Sequence, residues 1–489
     1  MRSRDRALAV IGCLWLAGML GSAEAQQKIF FGTRHLGMGN TGVGGSVDGL
    51  AVHYNPAGMA FSRSWDFELP LATIDLGLEG DLIAKLDGIG DLIDETASIQ
   101  ADLENGVTVQ AADLGKYLGL YLYEVAGLAD LTQGAAVQAT AGPAFRWKNW
   151  GVSVSGFGNG GVSAEIDLAN GIGLTPADWV DVIPSDPAAC QGSAFCLDFA
   201  TQLFDATAPL SKRLTMQQAE LLANAAGTRL EGSQVAQQFL IDIVTSTAEG
   251  GSTLVDNGSG SLTAGIVFAQ VAGSYSHKIR DNLSVGGNLK YMTGETWLSF
   301  VDIADINQGK DLIDDLFDSD VTRRDSAFGV DIGVMWRPAS RWSLGFVATN
   351  VNSPSFEFEG GRSYDLDPSF RVGGTWAPLS WFNAALDFDL NEMDSNVIPG
   401  FGYRYVNAGV EFLAGRWVAF RLGGFTNVAS DNSDPSITAG LGVGIGKFEL
   451  SLAGAASTAS TQLNVGDDEE SFPNGASVAL QLAWRAAKP

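Results

Sequence analysis

Residues 401–457 read FGYRYVNAGVEFLAGRWVAFRLGGFTNVASDNSDPSITAGLGVGIGKFELSLAGAAS and repeat one pattern four times. Val406, Ala408, Val410 and Phe412 alternate with Tyr405, Asn407, Gly409 and Glu411, and beyond the turn at Ala414-Gly415-Arg416 come Val418, Phe420 and Leu422. After Asp431–Asp434 the alternation resumes with Ile437, Ala439, Leu441, Val443 and Ile445, then crosses Gly446-Lys447 to Phe448, Leu450 and Leu452. A period of two means strand, because successive side chains point to opposite faces. One face of each strand is apolar and the other carries Gly, Ser, Ala, Asn or Glu. Very short connections alternate with longer ones, a bias absent from soluble sandwiches and characteristic of transmembrane β-barrels.

Extended outward, the same reading predicts strands at 64–78, 136–147, 150–167, 262–278, 283–300, 325–337, 341–358, 368–378, 381–391, 401–413, 416–427, 436–446, 447–458 and 475–484. They make fourteen, and an even number is what a single-chain bacterial barrel requires. The fold class expected is therefore all-β, a 14-stranded antiparallel transmembrane barrel over 64–489. The connections at Lys148-Asn149, Arg280-Asp281-Asn282, Pro338-Ala339-Ser340, Ala377-Pro378-Leu379, Gly415-Arg416 and Gly446-Lys447 are short, whereas 79–134 and 168–261 are long. With the C-terminus in the periplasm, counting back puts every short turn there and both insertions outside the cell. Each insertion is too long to be structureless. Leu114, Tyr117, Leu118, Tyr121, Val125 and Leu128 fall at helical spacing in the first; Thr215 and Gln218 form a capping box in the second, and Val235, Phe239 and Ile243 a stripe.

The first 25 residues carry Arg2, Arg4 and Arg6, an apolar run and Ala23-Glu24-Ala25, the marks of a signal peptide. No later segment has 18 uninterrupted apolar residues, so strands alone can cross a membrane. The formal net charge of −27 excludes a nucleic-acid binder that works by neutralising phosphates. Acidic loops solvate a hydrophobic barrel at the cell surface; the competing reading is cation bridging to lipopolysaccharide, or Ca²⁺ at Gly466-Asp467-Asp468-Glu469-Glu470. No cofactor or metal site is expected. His35, His53 and His277 are scattered and no catalytic constellation is spaced for chemistry, so an enzyme is not expected. Cys190 and Cys196 lie in a loop of an exported chain, where a disulfide is expected.

Residues 26–63 are dense in glycine without alternation: Gly37, Gly39, Gly42, then Asn55-Pro56-Ala57. They are expected to form a plug inside the lumen. The string LGMGNTGVGGSVDGLAVHYNPAGMA resembles the N-terminal signature of the FadL/TodX superfamily of outer-membrane transporters, and the two helical insertions resemble its TraF-type, PorV-like branch. That resemblance implies a hatch folded inside the barrel, an outer-membrane location, and passive uptake of hydrophobic small molecules such as long-chain fatty acids or aromatic hydrocarbons. The alternative it implies is an anchor or assembly component whose extracellular insertions dock a protein partner. The other expected partners are outer-membrane lipid, lipopolysaccharide and the barrel-assembly machinery, for which Leu480, Leu482 and Trp484 on the last strand form the recognition signal. In the third strand Val152 and Val154 face lipid by parity, so Gly156, Gly158 and Gly160 do too, while Phe157 and Asn159 point inward. Glycine weakens a strand. The resemblance places a lateral exit for the solute here, at Gly156–Gly161.

Overall fold

A computed structural model describes residues 30–62, 64–79, 134–165, 189–190, 193–210, 213–226, 237–238, 240–241, 245, 260–302, 322–358, 362–398, 401–415, 417–429, 434–465 and 468–485. The signal peptide, the helical spacing at 114–128 and the Val235–Ile243 stripe fall outside or largely outside them.

Fourteen strands form the wall: β1 (Trp65–Glu79), β2 (in two pieces, Gly134–Ala141 and Ala144–Trp147), β3 (Trp150–Glu165), β4 (Gly260–Arg280), β5 (Leu283–Asp302), β6 (Thr322–Ala339), β7 (Trp342–Thr349), β8 (Ser369–Leu379), β9 (Phe382–Asp389), β10 (Tyr405–Ala414), β11 (Val418–Asn427), β12 (Ser436–Ile445), β13 (Phe448–Ser457) and β14 (Gly475–Arg485). Each pairs antiparallel with its sequence neighbour, and β14 returns to β1 from Asp66↔Arg485 to Gly77↔Gly475, so the sheet closes on itself and no edge is left.

Parity sorts the wall as the alternation predicts. Along β12, Ile437, Leu441, Val443 and Ile445 are exposed outward, while Ser436 and Thr438 are buried inward. Leu289, Phe328, Ile332, Leu386, Leu422, Leu450 and Leu452 continue the outward surface on other strands. A continuous apolar surface of this extent has no place in water and is the face a barrel turns to lipid. At the short-turn end aromatic rings ring the wall: Trp484 lies 5.3 Å from both Trp65 and Phe448, Trp150 lies 4.6 Å from Tyr275, and Trp342 lies 5.9 Å from Trp376. Such rings mark the lipid–water interface. Leu480, Leu482 and Trp484 all belong to this outward face. The chain is a transmembrane β-barrel of the outer-membrane type.

The core is inside the lumen and has two storeys. Nearer the short turns sits the segment 30–62, with α1 (Thr33–Gly37) packed on β11–β14, α2 (Ala51–Tyr54), and a 3-10 turn (Pro56–Phe61) packed on β4–β6. Towards the long connections two small hairpins, 355–357 with 363–365 and 393–394 with 402–403, pack into an apolar cluster with inward side chains of β3–β6. The predicted single strand 341–358 is thus divided. β7 stops at Thr349, and Asn350 and Ser353, at φ 52° and 49°, turn the chain into the first hairpin. Asn tolerates that left-handed backbone because its short polar side chain replaces lost backbone partners.

In the second insertion α3 (Ala194–Thr207) and α4 (Met216–Ala226) pack through Phe199, Leu203, Ala219 and Leu222. A disulfide joins Cys190, ahead of α3, to Cys196 in its first turn. The capping box is present: Gln218 N–H donates to Thr215 Oγ1 at 3.3 Å and Thr215 N–H to Gln218 Oε1 at 2.9 Å. Among the described residues no group of His, Cys, Asp and Glu is placed to hold a metal ion.

Candidate functional site

The Gly-rich segment is folded by contacts that its glycines permit. Gly39 has φ 66°, and a Cβ there would fall 2.3 Å from the carbonyl oxygen of Gly424 and 2.5 Å from that of Ala408. Only a residue without a side chain lets backbone meet backbone this closely. Gly37 O accepts from Thr438 Oγ1 at 3.1 Å, and the N–H groups of Gly42 and Val43 both donate to Asp387 Oδ2, at 2.7 and 2.9 Å. The Asn55-Pro56-Ala57 turn is fixed twice over. Asn55 Oδ1 accepts from Ala57 N–H at 3.1 Å, capping the 3-10 turn; its Nδ2 donates to Val43 O at 2.9 Å within the hatch and to Val334 O at 3.1 Å in β6. Ser284 Oγ of β5 donates to Ala57 O at 2.8 Å.

Charges bind the other flank. Arg34 of α1 meets Glu411 of β10; Glu411 also accepts from Arg421 Nε at 2.9 Å, Arg421 continues to Glu449 at 3.1 Å, and Arg485 joins Glu449 at 2.6 Å to Glu68 at 2.8 Å. Buried ions persist when every one is paired, as in this chain of alternating charge. His35 and His53 lie in the same segment. His35 stacks on Tyr54 with ring centroids 3.7 Å apart and shares a hydrogen bond with Thr41 O at 2.7 Å; His53 stacks on Phe31 at 3.9 Å. Burial strips both imidazoles of water and disfavours the charged form, holding His35 at a pKa of about 4 and His53 at about 3.

Between this hatch and the inward hairpins lies a cavity of about 950 Å³, its open mouth included. Phe31, Phe157 and Phe268 line it and belong to a longer file of aromatic rings. Phe356 of the first hairpin lies 5.6 Å from Phe268 of β4, Phe268 lies 4.9 Å from Phe157 of β3, and Phe157 lies 6.0 Å from Phe31 of the hatch, centroid to centroid. These are the separations of interacting rings. Met292 and Leu366 add to the apolar lining, and Lys290, Asp331, Asn350 and Arg371 line the same cavity. Asn159 Nδ2 donates to Tyr364 OH at 2.6 Å, tying the hairpin above to β3.

Outside the same strand, Gly156 opens to the surface with nothing within 4 Å of a Cβ position, and Gly158 is nearly as bare. Gly160 is different. A Cβ there would lie 3.0 Å from the indole of Trp297, which also covers its neighbour Gly265. The expected opening at Gly156–Gly161 requires correction: β3 pairs with β2 from Gly156 to Ser163, and with β4 from Trp150 to Glu165, without a register shift. The irregularity is next door. β2 is interrupted at Gly142-Pro143, with Gly142 at φ 130° and its N–H turned to Pro70 O at 3.0 Å, and β1 shifts register between Pro70 and Ala72. Glycine leaves a ladder intact wherever its backbone can stay extended, whereas proline takes away a donor.

The charged residues that bear on the cavity and the hatch were missed in the sequence. Glu411, Asp387 and Asp331 each sit on the inward parity of a strand, which is the one signal that could have found them.

A family model described as the F plasmid transfer operon TraF protein matches residues 52–389. Among solved structures, the toluene transporter TbuX of Ralstonia pickettii is 10% identical over 93% of this chain and 98% of that one, with a TM-score of 0.43. The toluene transporter TodX of P. putida is 10% identical over 93% and 98%, with a TM-score of 0.43. A FadL homologue of Pseudomonas aeruginosa is 10% identical over 95% and 98%, with a TM-score of 0.42. No curated protein matches the chain.

Proposed function

The chain belongs to the family of the F plasmid transfer operon TraF protein, and we propose that it is an outer-membrane channel for passive uptake of hydrophobic small molecules. One observation carries this reading: the file Phe356–Phe268–Phe157–Phe31 runs from the inward hairpin down to the hatch. Barrels that conduct hydrophilic solutes keep a polar, water-filled interior. Here a buried apolar cluster fills part of the lumen, and an apolar solute would replace ring–ring contact with ring–solute contact at little cost.

The hatch blocks the axis of the barrel below the cavity, so the solute leaves sideways. We place the exit where the wall is least regular, at Gly142-Pro143 with Pro70 on one side and the bare Gly156 on the other. Two adjacent strands there each contain a proline without an N–H to give the ladder. Local opening at that point costs fewer hydrogen bonds than elsewhere in the wall.

Uptake of a labelled alkylbenzene into cells with and without the protein tests the reading, with Phe157→Ala and Phe268→Ala as variants. Protein-dependent uptake that falls in both variants is expected. Equal uptake with and without the protein would overturn it and shift the function to an anchor whose insertions dock a partner.

A further inference from the structure

We propose that Asp331 determines specificity, reserving the lumenal cavity for uncharged solutes by keeping Lys290 in an ion pair; the proposal rests on the uptake reading above. Two cations line the cavity, Lys290 and Arg371, and neither is available to a ligand. Lys290 Nζ lies 2.6 Å from Asp331 Oδ1 and donates to Asn350 Oδ1. Asp331 is itself held in place, with Oδ1 accepting from Asn350 N–H at 2.9 Å and Oδ2 from Asn288 Nδ2 at 2.8 Å. Gly329, across the ladder from Lys290, completes the arrangement: a Cβ there would lie 2.7 Å from Lys290 Cε, so the lysine stem rests on bare backbone and is drawn along the wall. Arg371 is paired with Asp389, which is fully buried and also accepts from Tyr405 N–H at 2.9 Å.

A further carboxylate, Asp367, lines the cavity as well. Two carboxylates, Asp331 and Asp367, thus line the cavity beside the two cations, and Asp389 pairs with Arg371 from behind. The ionisable groups that the hatch presents to the cavity, His53 and Tyr54, are uncharged near neutrality, because burial holds the His53 pKa at about 3 and raises that of Tyr54. A solute carboxylate entering this space would have to displace a wall carboxylate from its cation and strand it, and an unpaired buried charge is strongly disfavoured. An uncharged ring makes no such demand. It needs only the apolar side, Phe157, Phe268 and Met292, while Asp331 occupies the place that a solute carboxylate would take.

The test compares two solutes of one skeleton, naphthalene and 2-naphthoate, as initial uptake rates into porin-deficient cells carrying the full-length protein. Naphthalene uptake is expected to depend on the protein. Protein-dependent uptake of 2-naphthoate is expected to be about ten-fold slower or more, since stranding one buried charge exceeds the free energy of one decade. Asp331→Asn frees Lys290 and is expected to raise the ratio of 2-naphthoate to naphthalene uptake; adding Lys290→Met should return that ratio to the wild-type value. Surface display and heat-modifiable mobility establish assembly, and where Asp331→Asn does not assemble, Asp389→Asn, which frees Arg371, takes its place. Equal wild-type rates for the two solutes would overturn the proposal while leaving uptake standing, as would an assembled Asp331→Asn or Asp389→Asn protein that gains nothing. Failure of the wild type to carry either solute would overturn the uptake reading itself.

Discussion

Arg34 of the hatch and Glu411 of the wall meet through two parallel contacts, Nε to Oε1 at 3.1 Å and Nη2 to Oε2 at 3.0 Å. Bidentate geometry of this kind fixes orientation as well as distance. Glu411 serves Arg421 at the same time, so the two partners are not equivalent. Glu411→Ala leaves Arg34 with Asp48 alone, at 3.9 Å, and Arg421 with Glu449 alone, at 3.1 Å, and breaking a buried pair on one side costs roughly 3–5 kcal/mol. Arg34→Ala leaves Glu411 with Arg421 and should cost less. Ion conductance in planar bilayers is expected to rise in both, more in Glu411→Ala. Equal, unchanged conductance in the two assembled variants would mean that this pair does not hold the hatch.

Acid should loosen the same segment. His35 and His53 have folded pKa values lowered to about 4 and about 3 by burial, below the ordinary value of 6.5. A depressed histidine favours the folded state fully above the unfolded pKa and loses that contribution as pH falls, because the unfolded state then binds the proton that the folded state refuses. The window runs from 6.5 down to about 4 for His35 and about 3 for His53. Each pH unit below 6.5 removes up to about 1.4 kcal/mol per histidine. Conductance measured from pH 7 to pH 4 is expected to increase, and His35→Gln with His53→Gln should flatten that profile. A profile identical in the double variant would assign the pH response to other groups.

The indole of Trp297 lies on the outer wall over Gly160 and Gly265, which face each other across β3 and β4. A side chain at Gly265 would occupy the space of the ring itself, whereas a Cβ at Gly158 has as its nearest neighbour Val267 Cγ2 at 3.7 Å. Gly265→Val is therefore expected to destabilise the barrel by about 1–3 kcal/mol, the usual cost of overpacking. Gly158→Val should be tolerated. The temperature at which each variant loses its compact gel mobility gives the comparison, and a Gly265→Val protein as heat-resistant as wild type would show that the indole has another place to go.

The wall was legible in the sequence because its rule is local. Ile437, Leu441 and Val443 betray their strand within a handful of residues, and Gly446-Lys447 betrays the turn. The capping box of Thr215 and Gln218 was legible for the same reason. The contents of the lumen follow another logic. Arg34 and Glu411, or Gly42 and Asp387, are brought together by closure of the whole sheet, and no spacing announces a partner more than 340 residues away. The hairpin around Phe356 was hidden because its alternation continues that of β7 across Asn350. Gly142-Pro143 could have been read: a Gly-Pro pair inside a predicted strand signals an interruption, yet the denser glycines of β3 drew the expected irregularity to themselves.

That displacement defines the last prediction. Ala141 opposes Gly156 and Ala144 opposes Ser153, so the interruption in β2 spans three steps on either strand and introduces no slip against β3. Residues 142 and 143 already stand opposite Ser155 and Val154, and Val154 N–H donates to Pro143 O at 3.0 Å. The return bond is missing because Pro143 has no N–H, and Gly142 sits at φ 130°, where an L side chain is strained. Gly142→Thr with Pro143→Val supplies both the donor and the β-branched side chains that hold a backbone extended. The repaired strand would pair with β3 in its present register. Uptake of a labelled alkylbenzene is expected to fall several-fold in this variant, while surface display and conductance through the hatch stay as in wild type, because no residue of the hatch or of the aromatic file is altered. The companion variant Gly158→Val leaves both the interruption and Gly156 in place and should retain uptake. Full uptake in the repaired strand, or loss confined to the glycine variant, would move the exit away from Gly142-Pro143 and back onto β3.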